Sequence, residues 1–279
     1  MSYKSLFTVL TDEDLVEDTL AHAVALAAAH DTHLDVMCLG VDRTQTGFYY
    51  AGASAIVLQE TITRANEEAE AVKAKAEAIL KQSGLRWGAE AGVAQLADLG
   101  RHVSARARFS DLVILPKPYG EGRGAELEPV TEASLFEGHT PTLILPEAAM
   151  PVPKPKRILV GWNESIEALS ATRAALPLLR QADSVHVVVI DPPAHGPSRS
   201  DPGGLLSQYL ARHDVPVEID VLSKTLPRIS DVLTRHATDM NADLMVMGAY
   251  GHSRFREAIF GGATRNILEQ TTLPVLMAH

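Results

Sequence analysis

The chain has 279 residues, of which 46% are hydrophobic and 22% charged, a balance that excludes a disordered or fibrous protein. A single cysteine, Cys38, excludes an internal disulfide and a cysteine-rich metal site. The longest apolar runs, such as Val187 to Ile190 and Leu112 to Leu115, fall far short of the roughly 20 residues that span a bilayer.

The N-terminal residues Met1 to Ser5 lead straight into a strand-like run, with no signal-peptide pattern, so the expected location is the cytoplasm. The net charge of −10 is uneven: residues 1–150 hold 12 basic and 22 acidic side chains, residues 151–279 hold 13 of each. Bulk nucleic-acid binding needs a positive field and is disfavoured. A small anionic ligand is better sought in the second half.

In chain order, Lys4 to Leu10 is a short β-rich run, followed by the acidic Asp12, Glu13 and Asp14 and an alanine-rich helical stretch, Leu15 to His30. Cys38 falls in an apolar strand as a buried, inert thiol. A long helix is predicted over about 57–82, where the charges of Asn66 to Glu77 form its solvated face. Strands follow at Ser110 to Leu115 and Thr140 to Leu145. Between Glu147 and Lys156, three prolines in five positions predict an extended linker. The second half then offers strands near 157–162, 185–190, 216–222, 243–248 and 274–278, and helices near 165–180, 203–213, 228–240 and 261–270.

The halves repeat. Lys4 to Leu10 corresponds to Lys156 to Trp162, Ser110 to Leu115 matches Ala242 to Met247 at an offset of 132, and Thr140 to Leu145 matches Leu273 to Ala278 at 133. A repeat this long is a duplicated domain. Strand–helix alternation with continuous apolar strands predicts a parallel sheet covered on both faces. The expected fold class is α/β: two tandem, doubly wound, five-stranded parallel-sheet domains, 1–149 and 155–279. The halves are expected to pair as an intramolecular pseudo-dimer, with a homodimer as a further option. The runs Thr142 to Leu145 and Val275 to Ala278 are edge candidates, to be covered by each other or by a second chain.

The most informative segment follows the fourth strand of the second half. Gly248, Gly251 and the pair Gly261-Gly262 are spaced by two and nine residues and lead into a helix. This is where open α/β sheets bind ligands, and glycines with a helix N-terminus suit an anion. Arg254, Arg256 and Arg265 add positive charge. A tight turn with close helix–sheet packing explains the same glycines. There is no G-x-x-x-x-G-K-[ST] loop, no G-x-G-x-x-G after a strand, and no G-x-S-x-G elbow. The eleven histidines show no metal spacing; His186 is placed in or beside a strand and His213 at a helix end.

Two βαβ-rich halves with G-x2-G-x9-G after the fourth strand resemble a tandem universal stress protein. That resemblance implies an adenine nucleotide, ATP or AMP, with magnesium accompanying it. It places Gly248, Gly251, His252 and Ser253 in a phosphate-side loop and Gly261, Gly262 and Ala263 at the helix start. Asn163 stands where the family has a nucleoside-binding acid, and Val189 where it has an aliphatic contact. Gly262 replaces the family's Ser or Thr, with Thr264 two residues on, so binding is expected to be weak. In the first half, Pro116 and Tyr119 replace the glycines, and that copy reads as degenerate. Two alternatives stand beside nucleotide binding: a stress-response scaffold acting through dimerisation and protein partners, and a slow ATP hydrolase or transferase, for which no general base is evident.

Overall fold

The computed structural model describes residues 2–43, 55–120, 123–192, 200–249 and 262–279. It divides into two compact units, Tyr3–Thr140 and a second that holds Pro141–His279.

In the first unit, β1 (Ser5–Leu10), β2 (His33–Asp42), β3 (Arg86–Gln95) and β4 (Leu112–Pro116) form a parallel sheet ordered β3-β2-β1-β4. All five residues of β4 are buried, as its unbroken apolar sequence requires. Helix α1 (Val16–His30) ends at Asp31, whose left-handed φ of 52° stops it. Helix α2 (Ala55–Leu80) buries Ala65, Ala69, Val72, Ala76 and Leu80, a single stripe at three- and four-residue spacing. Its charges pair along the helix, as in Arg64–Glu68 and Lys73–Glu77. The small Ala65 lets α2 ride close on β2: a Cβ on Gly40 would overlap the Ala65 carbonyl. Helix α3 (Leu99–Ala107) precedes β4, and α4 (Leu127–Glu132) runs on into a π-helical turn, Ala133–Glu137.

The second unit contains β5 (Thr142–Leu145), β6 (Arg157–Gly161), α5 (Ile166–Leu179), β7 (Ser184–Ile190), α6 (Gly204–Ala211), β8 (Val217–Leu222), α7 (Ile229–Asp239), β9 (Leu244–Gly248), α8 (Ala263–Gln270) and β10 (Val275–Ala278). Its strand order is β5-β10-β9-β6-β7-β8. The five strands from β6 onward are parallel to one another, and β5 runs antiparallel to β10 with Ile144 opposite Val275. The last strand of the first repeat therefore lies in the compact unit of the second. The two runs singled out as edges in the sequence cover one another.

One clamp appears in both repeats. Asp111 Oδ2 accepts the Lys4 and Ser5 amides at 2.6 and 3.0 Å; Asp243 Oδ2 accepts those of Lys156 and Arg157 at 2.7 and 2.9 Å. Each carboxylate precedes a fourth strand and holds the entry of the first strand beside it. Charge-assisted bonds of this kind are stronger than neutral ones.

Candidate functional site

Parallel pairing gathers the carboxyl ends of β6, β7, β9 and β10 along one edge of the second sheet. Gly161 lies opposite Val188 and Met247, and Gly248 opposite Ala278. The chain leaves β6 through Trp162 and Asn163. Asn163 Oδ1 accepts the Ser165 amide at 3.2 Å, and Ser165 Oγ accepts the Ala168 amide at 3.1 Å as the N-cap of α5. Asn163 Oδ1 is thus engaged in a turn, and the side chain is exposed. Val189, 6% exposed near the end of β7, sits beside Gly203: a Cβ there would lie 3.5 Å from the Val189 methyl.

Gly248 has a packing reason to be glycine. A Cβ on it would stand 2.6 Å from the Ala168 nitrogen and 2.8 Å from the Glu167 carbonyl carbon, inside the first turn of α5. The end of β9 and the start of α5 therefore touch backbone to backbone.

Gly251, His252, Ser253 and Gly261, together with Arg254 and Arg256, lie outside the described residues. Beyond them, Gly262 is the N-cap of α8, with φ −59° and ψ 160° and no side-chain capping bond. Its carbonyl accepts the Asn266 amide at 3.1 Å, the first intrahelical bond. The amides of Ala263, Thr264 and Arg265 precede that bond in the first turn of the helix. Thr264 itself is 3% exposed, so its side chain belongs to the interior. Arg265 pairs with Glu269 at 2.9 Å on its own helix.

Two residues here escaped the sequence reading. Arg228, the N-cap of α7, donates from Nη1 to Asn266 Oδ1 at 3.3 Å. It brings a guanidinium to the first turns of α8 from 38 positions away, with no local spacing to announce it.

The first unit handles the same end of its sheet differently. Arg43, just past β2, forms a two-pronged contact with Glu126, at 2.7 Å and 3.4 Å. The Glu126 side chain is 2% exposed. The hydrogen bond to Glu126 raises the Arg43 pKa, with burial opposing and the Glu126 charge adding. A carboxylate of the chain itself thus holds the cation there. Tyr119 donates to Glu128 at 2.7 Å, and Asp12 accepts the Asp14 amide at 2.9 Å.

Residues 154–279 match the family model of the universal stress protein family. The universal stress protein Slr1230 from a Synechocystis strain is 29% identical over 107 residues, which cover 38% of this chain and 34% of that protein. This second half is a universal stress protein domain. The chain's match spans about a third of the curated relative's length. Fold likeness extends further. The crystal structure of a universal stress protein from Archaeoglobus fulgidus superposes with a TM-score of 0.69 over 98% of this chain and 95% of its own, at 14% identity. A protein of unknown function from Pseudomonas aeruginosa, PA1789, gives 0.57 over 98% and 92%, at 13% identity. The tandem α/β architecture of the universal stress fold therefore covers nearly the whole chain. Among the described residues, no three His, Cys, Asp or Glu side chains are grouped as metal ligands, and no helix is long and apolar enough to cross a membrane.

Proposed function

We propose that the universal stress domain of residues 154–279 binds an adenine nucleotide, ATP or AMP, weakly, in a stress-response role in the cytoplasm. The supporting observation is the start of α8, which has glycine as N-cap, no side-chain cap, and lies in sequence just past the glycine-spaced segment that follows β9. Phosphates would meet amides there and in the Gly248–Thr264 segment, magnesium would travel with the nucleotide, and Asn163 and Val189 would face the nucleoside.

A lost hydroxyl–phosphate bond at Gly262 is worth about 1.5–3 kcal/mol, or roughly 10- to 150-fold in affinity. Gly262→Ser restores the hydroxyl at a position where serine is a favoured N-cap. Titration of wild type and Gly262→Ser with ATP and AMP, at fixed magnesium and salt, tests the reading. Tighter binding by the variant is the expected result. Absence of binding by both at millimolar nucleotide refutes it.

The second reading is a scaffold that binds no nucleotide and acts through dimerisation and protein partners. The pairing of half-exposed Arg43 with the buried Glu126 favours it for the first unit: the chain's own carboxylate already takes the cation at that sheet end. The same titration with no nucleotide bound supports the scaffold.

A further inference from the structure

The strand registers align the two repeats residue by residue. Leu6 of β1 faces Leu34 and Leu112; Ile158 of β6 faces Val185 and Leu244. Asp35 therefore corresponds to His186. Asp35 faces Gly88 and His186 faces Glu218, so Gly88 corresponds to Glu218 and Glu90 to Asp220. Helices α3 and α7 end equally far before β4 and β9, which sets Ser104 against His236.

In the second repeat this place is filled. Asp220 Oδ2 binds both His186 Nδ1 at 3.0 Å and His236 Nε2 at 2.8 Å, so two imidazole rings and a carboxylate tie α7 to the sheet. In the first repeat both imidazoles are gone. Beside the matched Asp35 and Glu90 lies a cavity of about 370 Å³ between β1, β2, β3 and the end of α3. Phe7 and Val36 line its buried side. Gly88 opens it, since a Cβ there would come within 3.0 Å of Asp35 Oδ1. Phe109 stands 80% exposed at its lining.

The charges are unbalanced. Asp35 and Glu90 line the cavity against one cation, Arg106. Arg106 Nη2 pairs with Glu90 at 2.8 Å, and Asp35 meets His33 Nε2 at 3.2 Å, all four side chains being more than 40% exposed. Exposed pairs of this kind exchange readily for a better partner. An aromatic face near the carboxylates adds attraction for a cation. The volume lies at the lower end of small-molecule sites, roughly 300–1,000 Å³.

We propose that this cavity is a binding site for a small organic monocation that carries a planar ring, the ring lying against Phe7 and Phe109 and the ammonium between Asp35 and Glu90. The site is separate from the nucleotide reading and stands without it. It would give the repeat that lacks the glycine motif a ligand of opposite charge to a nucleotide.

The test is titration of the full chain with phenethylamine, followed by amide chemical shifts, with 2-phenylethanol as the neutral counterpart. Saturable shifts at Gly88, Ala89 and Phe109 are expected, and Asp35→Asn and Glu90→Gln should each weaken binding about 10-fold or more. The alcohol should lose a comparable factor. Gly88→Gln, which fills the cavity without adding charge, should abolish binding while circular dichroism stays unchanged. No saturation at millimolar amine overturns the proposal. So does an affinity that ignores both carboxylate changes, or one that matches for amine and alcohol.

Discussion

Gly248→Ala is expected to destabilise the second unit, although glycine-to-alanine in a strand is ordinarily neutral or helpful. The added methyl would stand 2.6 Å from the Ala168 nitrogen and 2.8 Å from the Glu167 carbonyl carbon. Both are backbone atoms of a capped helical turn, so relief requires α5 to move as a body. Overpacking of a tight interior costs about 1–3 kcal/mol, and a backbone obstacle puts this case near the top of that range. Lower chain entropy in the unfolded state returns roughly 0.4–1 kcal/mol, leaving a net loss of about 2 kcal/mol. For a unit of this size that is a fall of roughly 6–8 °C in Tm. Gly161→Ala is the control: its Cβ would meet Leu233 and Met247 side chains at 3.6 Å, an ordinary contact. The chain has two tryptophans, Trp87 in the first unit and Trp162 in the second. In a Trp87→Phe background, urea unfolding followed by Trp162 fluorescence reads the second unit alone. If the two alanine variants differ by less than about 0.5 kcal/mol, the close-approach argument is wrong.

Burial pushes the Cys38 thiol up to about 12, with Lys73 opposing and Glu70 and Glu77 adding. The folded chain then keeps a proton that the unfolded chain releases above about pH 9, so this contribution is constant below that pH and declines toward pH 12. The decline, at most about 1.4 kcal/mol per pH unit, should vanish from the urea midpoints of Cys38→Ala, and a thiol-reactive disulfide should label Cys38 only after unfolding. Asp220→Ala strips two imidazoles of their common acceptor and should cost about 1.5–3 kcal/mol, measured by urea unfolding. The equivalent Glu90→Ala breaks only an exposed pair and should stay within about 0.5 kcal/mol; equal losses would contradict the different roles assigned to these matched carboxylates.

Elements such as β4, β7 and β9 were legible because their strands are largely unbroken apolar runs, and helices such as α2 and α5 because each has a stripe or a cap of its own. Ser165 before Ile166 and the alanines of α2 are such local signals. The repeat was legible from the Ser110-Asp111 and Ala242-Asp243 matches, yet not the clamp that makes those aspartates recur, because their partners lie 87 and 107 residues away. The direction of β5 could not be read either: four residues buried on both faces, three of them apolar, carry no periodicity that distinguishes parallel from antiparallel. At the candidate site the sequence located the end of β9 and the start of α8. It did not reveal that Asn163 serves its own turn, or that Arg228 reaches Asn266, since both depend on three-dimensional neighbours.

The partnership of β5 with β10 has a consequence for synthesis. Ile144 and Val275, which face each other, are 131 residues apart. At roughly 5–20 residues per second, the ribosome needs on the order of 10 s to deliver the second strand after the first. For that interval the β10-facing side of Thr142–Leu145 has no strand to meet it, however well the preceding repeat has formed. An apolar strand in that state can recruit the same segment of another nascent chain. Within one polysome, neighbouring chains present it side by side, and intermolecular exchange of β5 competes with the intramolecular closure until the last strand arrives.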